Sequence, residues 1–281
     1  MRRYFLYAMI VCCAVACGKS AEPEDKPSDG TITIEAGLPS QMCKTALGEK
    51  NGSSWPLVWS AGDKLLLNGV PSAALSAAEA GGTSASFNFS GVGGASVWNY
   101  TYSGVEGSDC LVNFPGNVLP MYAGATSVSG ITLSTLGAVV RFSLKSSTAV
   151  TLSQIQVRAL GGESISGNFS IGKDGSGRLN GSLAAASDNH DYLVVAADAA
   201  LSSVPTAFTF VIPAGTYTTG FQASITASDG KIMEVWFNTK DNETVSAGTL
   251  YDFGESSFVA MGSSVMAVMS LEQLTVESVA Y

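Results

Sequence analysis

The sequence predicts an all-β protein in which two packed antiparallel sheets occur twice in tandem, and three observations carry that prediction. Short runs alternate apolar and polar residues with a period of two and are bounded by Gly, Asn, Asp and Pro, as half-buried strands are. Asp-Gly and Ser-Asp-Gly sequences fall between such runs, where hairpin turns need them. Helical runs of ten or so residues, which a parallel sheet needs between its strands, are almost absent. The nearest is PSAALSAAEAGG, Pro71 to Gly82, whose Ala and Glu content permits a helix of about two turns.

The chain opens MRRYFLYAMIVCCAVACGKSAEPEDKPSDG. Arg2 and Arg3, the apolar run from Tyr4 to Ala16 and the small residues Ala14, Val15 and Ala16 give residues 1–16 the pattern of a secretory signal. The run is shorter than the roughly 20 apolar residues of a membrane-spanning helix, so cleavage is expected rather than insertion. Ala-Val-Ala-Cys resembles a bacterial lipobox, which makes Cys17 the expected lipidation site and first mature residue; Cys12 and Cys13 lack small residues before them. An ordinary signal with an incidental cysteine is the alternative. Each lipid CH₂ buried contributes about 0.8 kcal/mol, and two or more acyl chains hold where one does not. Residues 17–30, rich in Pro, Glu, Asp, Lys and Ser, are expected to be a flexible acidic linker with too little apolar content to offset ordering. Gly18-Lys19-Ser20 is no phosphate loop, because Cys13 stands where that motif needs glycine.

Loss of residues 1–16 removes two of 14 basic residues and no acid, leaving 12 against 23 and taking the net charge from −9 to −11. That charge argues against nucleic acid as a partner. With 13% charged residues and 31 glycines the composition suits an extracellular β protein. Beyond the signal and Cys17, Cys43 and Cys110 remain, either as one disulfide or as two separate thiols.

The strand runs follow in order. Phe87 and Phe89 share one side of SFNFS, and Trp98, Tyr100 and Tyr102 one side of SVWNYTY. Val140, Phe142 and Leu144 align in AVVRFSL, Phe208, Phe210 and Ile212 in AFTFVIP, and Phe221, Ala223, Ile225 and Ala227 in GFQASITA. Each is expected to pack on one face. Asp174 to Gly177 and Ser228 to Gly230 mark hairpins. Pro115, Gly116, Pro120 and the stretch GATSVSG place a boundary near residue 131, giving domains 31–130 and 131–257 and a tail over 258–281. The tail is too apolar to be free. Val265, Val268 and Met269 suit a short helix, whereas Leu274 and Val276, in a β-branched run, favour a strand that a neighbouring molecule could receive.

No catalytic constellation emerges. His190, the sole histidine, lies among Asp188, Asn189 and Asp191, and no Gly-x-Ser-x-Gly elbow accompanies it. One histidine and scattered cysteines do not make a zinc site, and Lys173 to Gly177 lacks the acidic spacing of a calcium loop. Asp63 is the best-placed carboxylate within a motif, yet its setting suggests a turn. The expectation is a protein that is not an enzyme and holds no cofactor or metal. Trp55, Trp59, Trp98 and Trp236 raise the alternative of a surface lipoprotein that stacks polysaccharide on aromatic faces.

Five segments occur in a telling order: TITIEA at 31–36, WSAGDKLLL at 59–67, LGAVVRFSL at 136–144, FVIPAGTY at 210–217 with SITASDGK behind it, and VSAGTLYDF at 245–253. Together, behind the lipoprotein-like start, they resemble the fimbrillin family of Bacteroidetes over roughly residues 31–253. The resemblance implies two transthyretin-like β-sandwich domains in a lipoprotein of the cell outer membrane, surface exposed. It also implies a place in adhesive fimbriae, with other fimbrial subunits, the membrane and a host or bacterial surface ligand as partners. Stalk members of the family are cut after a basic residue near the N-terminus, which frees the first strand and opens a groove for a donor strand; Lys44 or Lys50 stands where such a cut would fall, the alternative being that Lys44 is only a solvent-facing residue between strands. The best known members are cut after Arg, and this stretch offers only Lys. An uncut chain would stay lipid-anchored, as an anchor or accessory subunit does. Within such a bacterium the sequon Asn99-Tyr100-Thr101 carries little meaning.

Overall fold

The computed structural model describes residues 31–39, 46–47, 57–102, 105–106, 111–128, 130–238, 243–259, 266–270 and 275–276. Every regular element among them is a β-strand. The first twelve are β1 (Thr31–Gly37), β2 (Ala46–Leu47), β3 (Leu57–Val58), β4 (Leu65–Leu67), β5 (Val70–Pro71), β6 (Ser84–Ser90), β7 (Trp98–Tyr102), β8 (Val105–Glu106), β9 (Leu111–Phe114), β10 (Met121–Ala125), β11 (Ile131–Thr132) and β12 (Ser134–Thr135). There follow β13 (Gly137–Lys145), β14 (Val150–Ala159), β15 (Gly167–Lys173), β16 (Leu179–Ala185), β17 (Tyr192–Leu201), β18 (Thr206–Pro213) and β19 (Gly215–Tyr217). The last are β20 (Phe221–Ala227), β21 (Ile232–Asn238), β22 (Glu243–Val245), β23 (Leu250–Ser257), β24 (Met266–Ser270) and β25 (Thr275–Val276).

In the first half, a three-stranded sheet ordered β11-β1-β6 packs on a five-stranded sheet ordered β12-β10-β7-β4-β5. The core between them takes Ile34 and Ala36 from one sheet's β1, Phe87 and Phe89 from its β6, and Leu65, Leu67, Trp98, Tyr100 and Tyr102 from the other. The alternation seen in SFNFS is complete, its residues running exposed, buried, exposed along the strand.

The helix permitted over Pro71 to Gly82 does not form. Ser76 and Glu79 do close a capping pair, with the Ser76 amide and hydroxyl donating to Glu79 Oε2 at 2.8 and 2.6 Å. Backbone bonds to β6 and to the loop between β3 and β4 nevertheless claim the segment. Ala73 N–H donates to Asn88 O, Leu75 N–H to Asp63 O and Gly81 N–H to Trp59 O. Tertiary pairing thus overrides a weak local propensity.

In the second half, sheets ordered β18-β13-β23-β25 and β17-β14-β20-β21-β24 enclose the largest core, built on Phe142, Phe208, Phe210, Phe221 and Phe237. Both expected hairpins are present: Asp174 N–H bonds Arg178 O across one tip, and Ala227 N–H bonds Lys231 O across the other. Gly177 and Gly230 adopt φ of 87° and 83°, which only glycine enters freely. The tail contributes two strands to this half, β24 parallel beside β21 and β25 antiparallel beside β23.

A fifth sheet, ordered β16-β15-β9-β8, draws on both halves, for β9 pairs with β15 from Gly167↔Phe114 to Ser170↔Leu111. Strand pairing therefore crosses the boundary placed near residue 131. Beneath this sheet lies a third core, where Val112, Phe114 and Leu119 meet Val139, Phe169, Val211 and Leu250. Gly137 makes the approach feasible: a Cβ there would collide with Ile212 O and come within 2.8 Å of Phe114 Cε1. Asn99 bridges the halves, donating through Nδ2 to Gly177 O and accepting from Leu179 N–H, both at 3.0 Å.

Candidate functional site: the seat of the first strand

β1 lies in the middle of its sheet although it is the first strand of the described chain. Along one edge it pairs antiparallel with β6 over seven positions, Thr31↔Ser90 through Gly37↔Ser84. Along the other it runs parallel to β11 at Ala36↔Ile131 and Gly37↔Thr132. Leu38 N–H donates to Thr83 O at 2.8 Å and Leu133 N–H to Gly37 O at 2.9 Å, extending both ladders by one step. The alternation in TITIEA has a direct outcome. Ile34, Ala36 and Leu38 are buried, whereas Thr33 and Glu35 face solvent. Burying an Ile or Leu side chain contributes about 1.5–3 kcal/mol, so most of the apolar hold on β1 comes from Ile34 and Leu38.

The floor of the seat is set by WSAGD. Asp63 Oδ2 accepts from Ser60 N–H at 2.6 Å and Oδ1 accepts from Tyr102 OH at 2.9 Å, while Gly62 takes a φ of 91°. The closed turn fixes Trp59, whose indole N–H donates to Ala36 O at 3.1 Å. Its ring meets Phe87 and Tyr102 edge to face at 4.8 and 5.1 Å. Burial, with the Asp63 carboxylate beside it, pushes the Tyr102 phenol above its ordinary range. Asp63 is thus a turn residue that orients the wall of a groove.

With β1 withdrawn, this arrangement presents the free edges of β6 and β11 over an apolar trough lined by Trp59 and Phe87. Such a trough takes an extended segment with apolar residues at alternate positions: backbone bonds supply the affinity and the alternate pockets the register.

Among the residues singled out in the sequence, Cys17, Cys43, Lys44, Lys50, Trp55, Cys110 and Leu274 lie outside the described residues. Val276 belongs to β25, opposite Tyr251. His190 is distant from β1 in the chain; its backbone bridges Ser166 and its ring stacks on Tyr192 at 5.2 Å. Trp59 and Trp98 are core residues, 1% and 6% exposed, and offer no outer face for a sugar. Trp236 is half-buried. Two contributors were not anticipated: the Trp59 bond to β1 and the Asn99 bridge. The first has a signal in the motif, a tryptophan held by a Gly-Asp turn; the second has none, since an asparagine preceding Tyr100 looks the same whatever it bonds.

No protein-family model matches the chain, and no curated protein is similar to it. Solved structures are. A protein assigned to cell adhesion from Bacteroides ovatus is 12% identical, covering 81% of this chain and 91% of that one with a TM-score of 0.46. A second such protein, from Bacteroides uniformis, is 13% identical over 83% and 96% with a TM-score of 0.45. The tip fimbrial protein of Porphyromonas gingivalis, C-terminally truncated, is 8% identical over 80% and 93% with a TM-score of 0.37. By their names these neighbours are cell adhesion and fimbrial proteins. At such identities and TM-scores, function has to be argued from this chain's own residues.

Proposed function

We propose that the chain is a non-enzymatic structural or accessory subunit of cell-surface fimbriae, joined to its neighbours by strand exchange and serving adhesion. The observation that supports this reading is the seat of β1: the first strand of the described residues is placed centrally, held by backbone pairing on both edges and by two large apolar side chains, with Lys44 and Lys50 following it in the chain. Cutting there would leave β1 attached by non-covalent contacts alone. The tail, whose strands β24 and β25 pair here with β21 and β23 of the same chain, is the donor segment on leaving them, with Leu274 and Val276 as its donor residues. In this proposal residues 31–130 and 131–257 are the two transthyretin-like sandwiches, with β8 and β9 crossing from the first to the second. Cys17 carries the lipid that fastens the chain to the outer membrane, and residues 17–30 form the leash.

Limited digestion of the purified chain with a lysine-cleaving protease tests the exchange. The expected result is loss of the segment ending at Lys44 or Lys50 under mild denaturant, followed by polymerisation or uptake of a synthetic peptide spanning residues 271–281. A cut chain that remains monomeric and refuses the peptide would argue against the proposal. Labelled palmitate incorporated by producing cells and abolished by Cys17→Ala tests the anchor separately.

A further inference from the structure

On the outer face of the sheet β17-β14-β20-β21-β24, its first four strands carry a cross-strand row that lies away from the seat of β1. Register sets Trp236 on β21 opposite Gln222 on β20, Gln222 opposite Arg158 on β14, and Arg158 opposite Tyr192 on β17. The four residues stand in one line across four neighbouring strands, three strand spacings or about 14 Å from end to end. They face away from the core, because the alternate residues Val157, Ala223 and Val235 on the same strands are completely buried.

Both aromatic residues of the row are partly open, Tyr192 on the edge strand β17 and Trp236 on β21, with Val268 of β24 opposite it on its far side. Trp236 is half-buried, yet its indole Nε1 is fully covered, so the part of the side chain that reaches solvent is carbon. Tyr192 is likewise half-buried, with His190 stacked on it and the Arg158 guanidinium 5.9 Å from its ring centre. Between the ends, Gln222 offers an amide and Arg158, 52% exposed, a guanidinium whose ion pair with Asp191 is long at 3.8 Å. A second row, Glu234, Ser224, Gln156 and Val194, runs alongside and adds a hydroxyl and another amide.

Apolar plates with amide, hydroxyl and guanidinium groups between them complement a sugar chain, whose rings have C–H faces and hydroxyl rims. Charge narrows the class. Arg158 is the one cation in the two rows; its ion pair is with Asp191, and Glu234 adds a carboxylate to the second row, on a chain of net charge −9. An anionic polymer would be repelled. The row runs across the strands, so it suits an extended chain better than a compact ligand.

We propose that this face binds a neutral polysaccharide, with Trp236 and Tyr192 stacking on sugar rings and Gln222 and Arg158 bonding hydroxyls. The inference supplies a ligand for the adhesive part of the proposed function and needs neither cleavage nor assembly, so it stands or falls separately from strand exchange.

Native affinity electrophoresis of the full chain through gels containing dextran, laminarin or yeast mannan, with polygalacturonate as the anionic comparison, tests it. The expected result is retardation by at least one neutral polymer and none by polygalacturonate. Trp236→Ala should weaken the apparent affinity by about tenfold, as loss of an aromatic anchor does, and Gln222→Ala by a smaller factor. Tyr192→Ala and Gln222→Ala run in the same gels, so the outcome does not hang on how one variant folds. No retardation in any neutral gel, retardation untouched by Trp236→Ala and Tyr192→Ala, or stronger retention by polygalacturonate would overturn the proposal. So would a dimer that Trp236→Ala converts to monomer, because the face would then be a contact between two copies of the chain.

Discussion

Tyr100 is the most confined polar side chain of the first core. The residue has no exposure and its hydroxyl, also buried, finds no hydrogen-bond partner among the described residues. A buried hydroxyl without a partner costs free energy, whereas a phenyl ring of the same shape does not. Tyr100→Phe is therefore expected to stabilise the chain by about 1 kcal/mol, seen as a higher urea midpoint at unchanged slope. The same burial pushes the phenol from its ordinary 10 up to about 12. The folded value lies above the unfolded one, so this contribution is whole below pH 10 and is lost as pH climbs through about 12. Tyr102 and Tyr217 shift in the same direction, again chiefly through burial. Alkaline unfolding should accordingly coincide with the appearance of tyrosinate absorbance, and Tyr100→Phe should flatten the fall in stability over that window.

At the scale of the element, β1 displays its two faces as a simple contrast. Ile34→Ala should cost about 2–5 kcal/mol, because it empties a fully buried position, whereas Glu35→Ala next to it should stay within about 0.5 kcal/mol. Equal losses at both positions in chemical denaturation would mean that the strand sits in another register, since a slip by one residue exchanges its faces. Such periodic faces were legible in the sequence, and the alternation of TITIEA, SFNFS and GFQASITA translates directly into inward and outward side chains; AVVRFSL and AFTFVIP, expected to pack on one face, are covered on both, with Val139 and Val211 in the third core and Phe142 and Phe210 in the largest one. The floor of the seat was legible in part, because Gly62 and Asp63 announce a turn but not the tryptophan bond that the turn serves. Pro71 to Gly82 misled because its helical preference is local, and the bonds that defeat it come from Asn88, Asp63 and Trp59. Partnership across strands is invisible to a periodicity. For that reason the parallel pairing of β1 with β11 and the row from Trp236 to Tyr192 emerge only when strands are laid side by side.

For the molecule as a whole, the third core decides how the two halves behave. Phe114 comes from the first half and meets Phe169 of the second edge to face at 5.3 Å, completely buried. Phe114→Ala should remove about 3–5 kcal/mol from this joint while leaving the other two cores untouched. The expected calorimetric outcome is a single transition in the unaltered chain and two resolved transitions in the variant; one transition in both would show that the halves are coupled through other contacts. The central strand β13 has its own consequence. Its parallel neighbour β23 arrives late in the chain: Arg141 and Asp252, which form an ion pair at 3.0 Å, are separated by 111 residues. Loops of that length close slowly, so this half has to wait for most of its polypeptide before its centre can zip up. Timing, as much as affinity, is thereby written into the order of the strands.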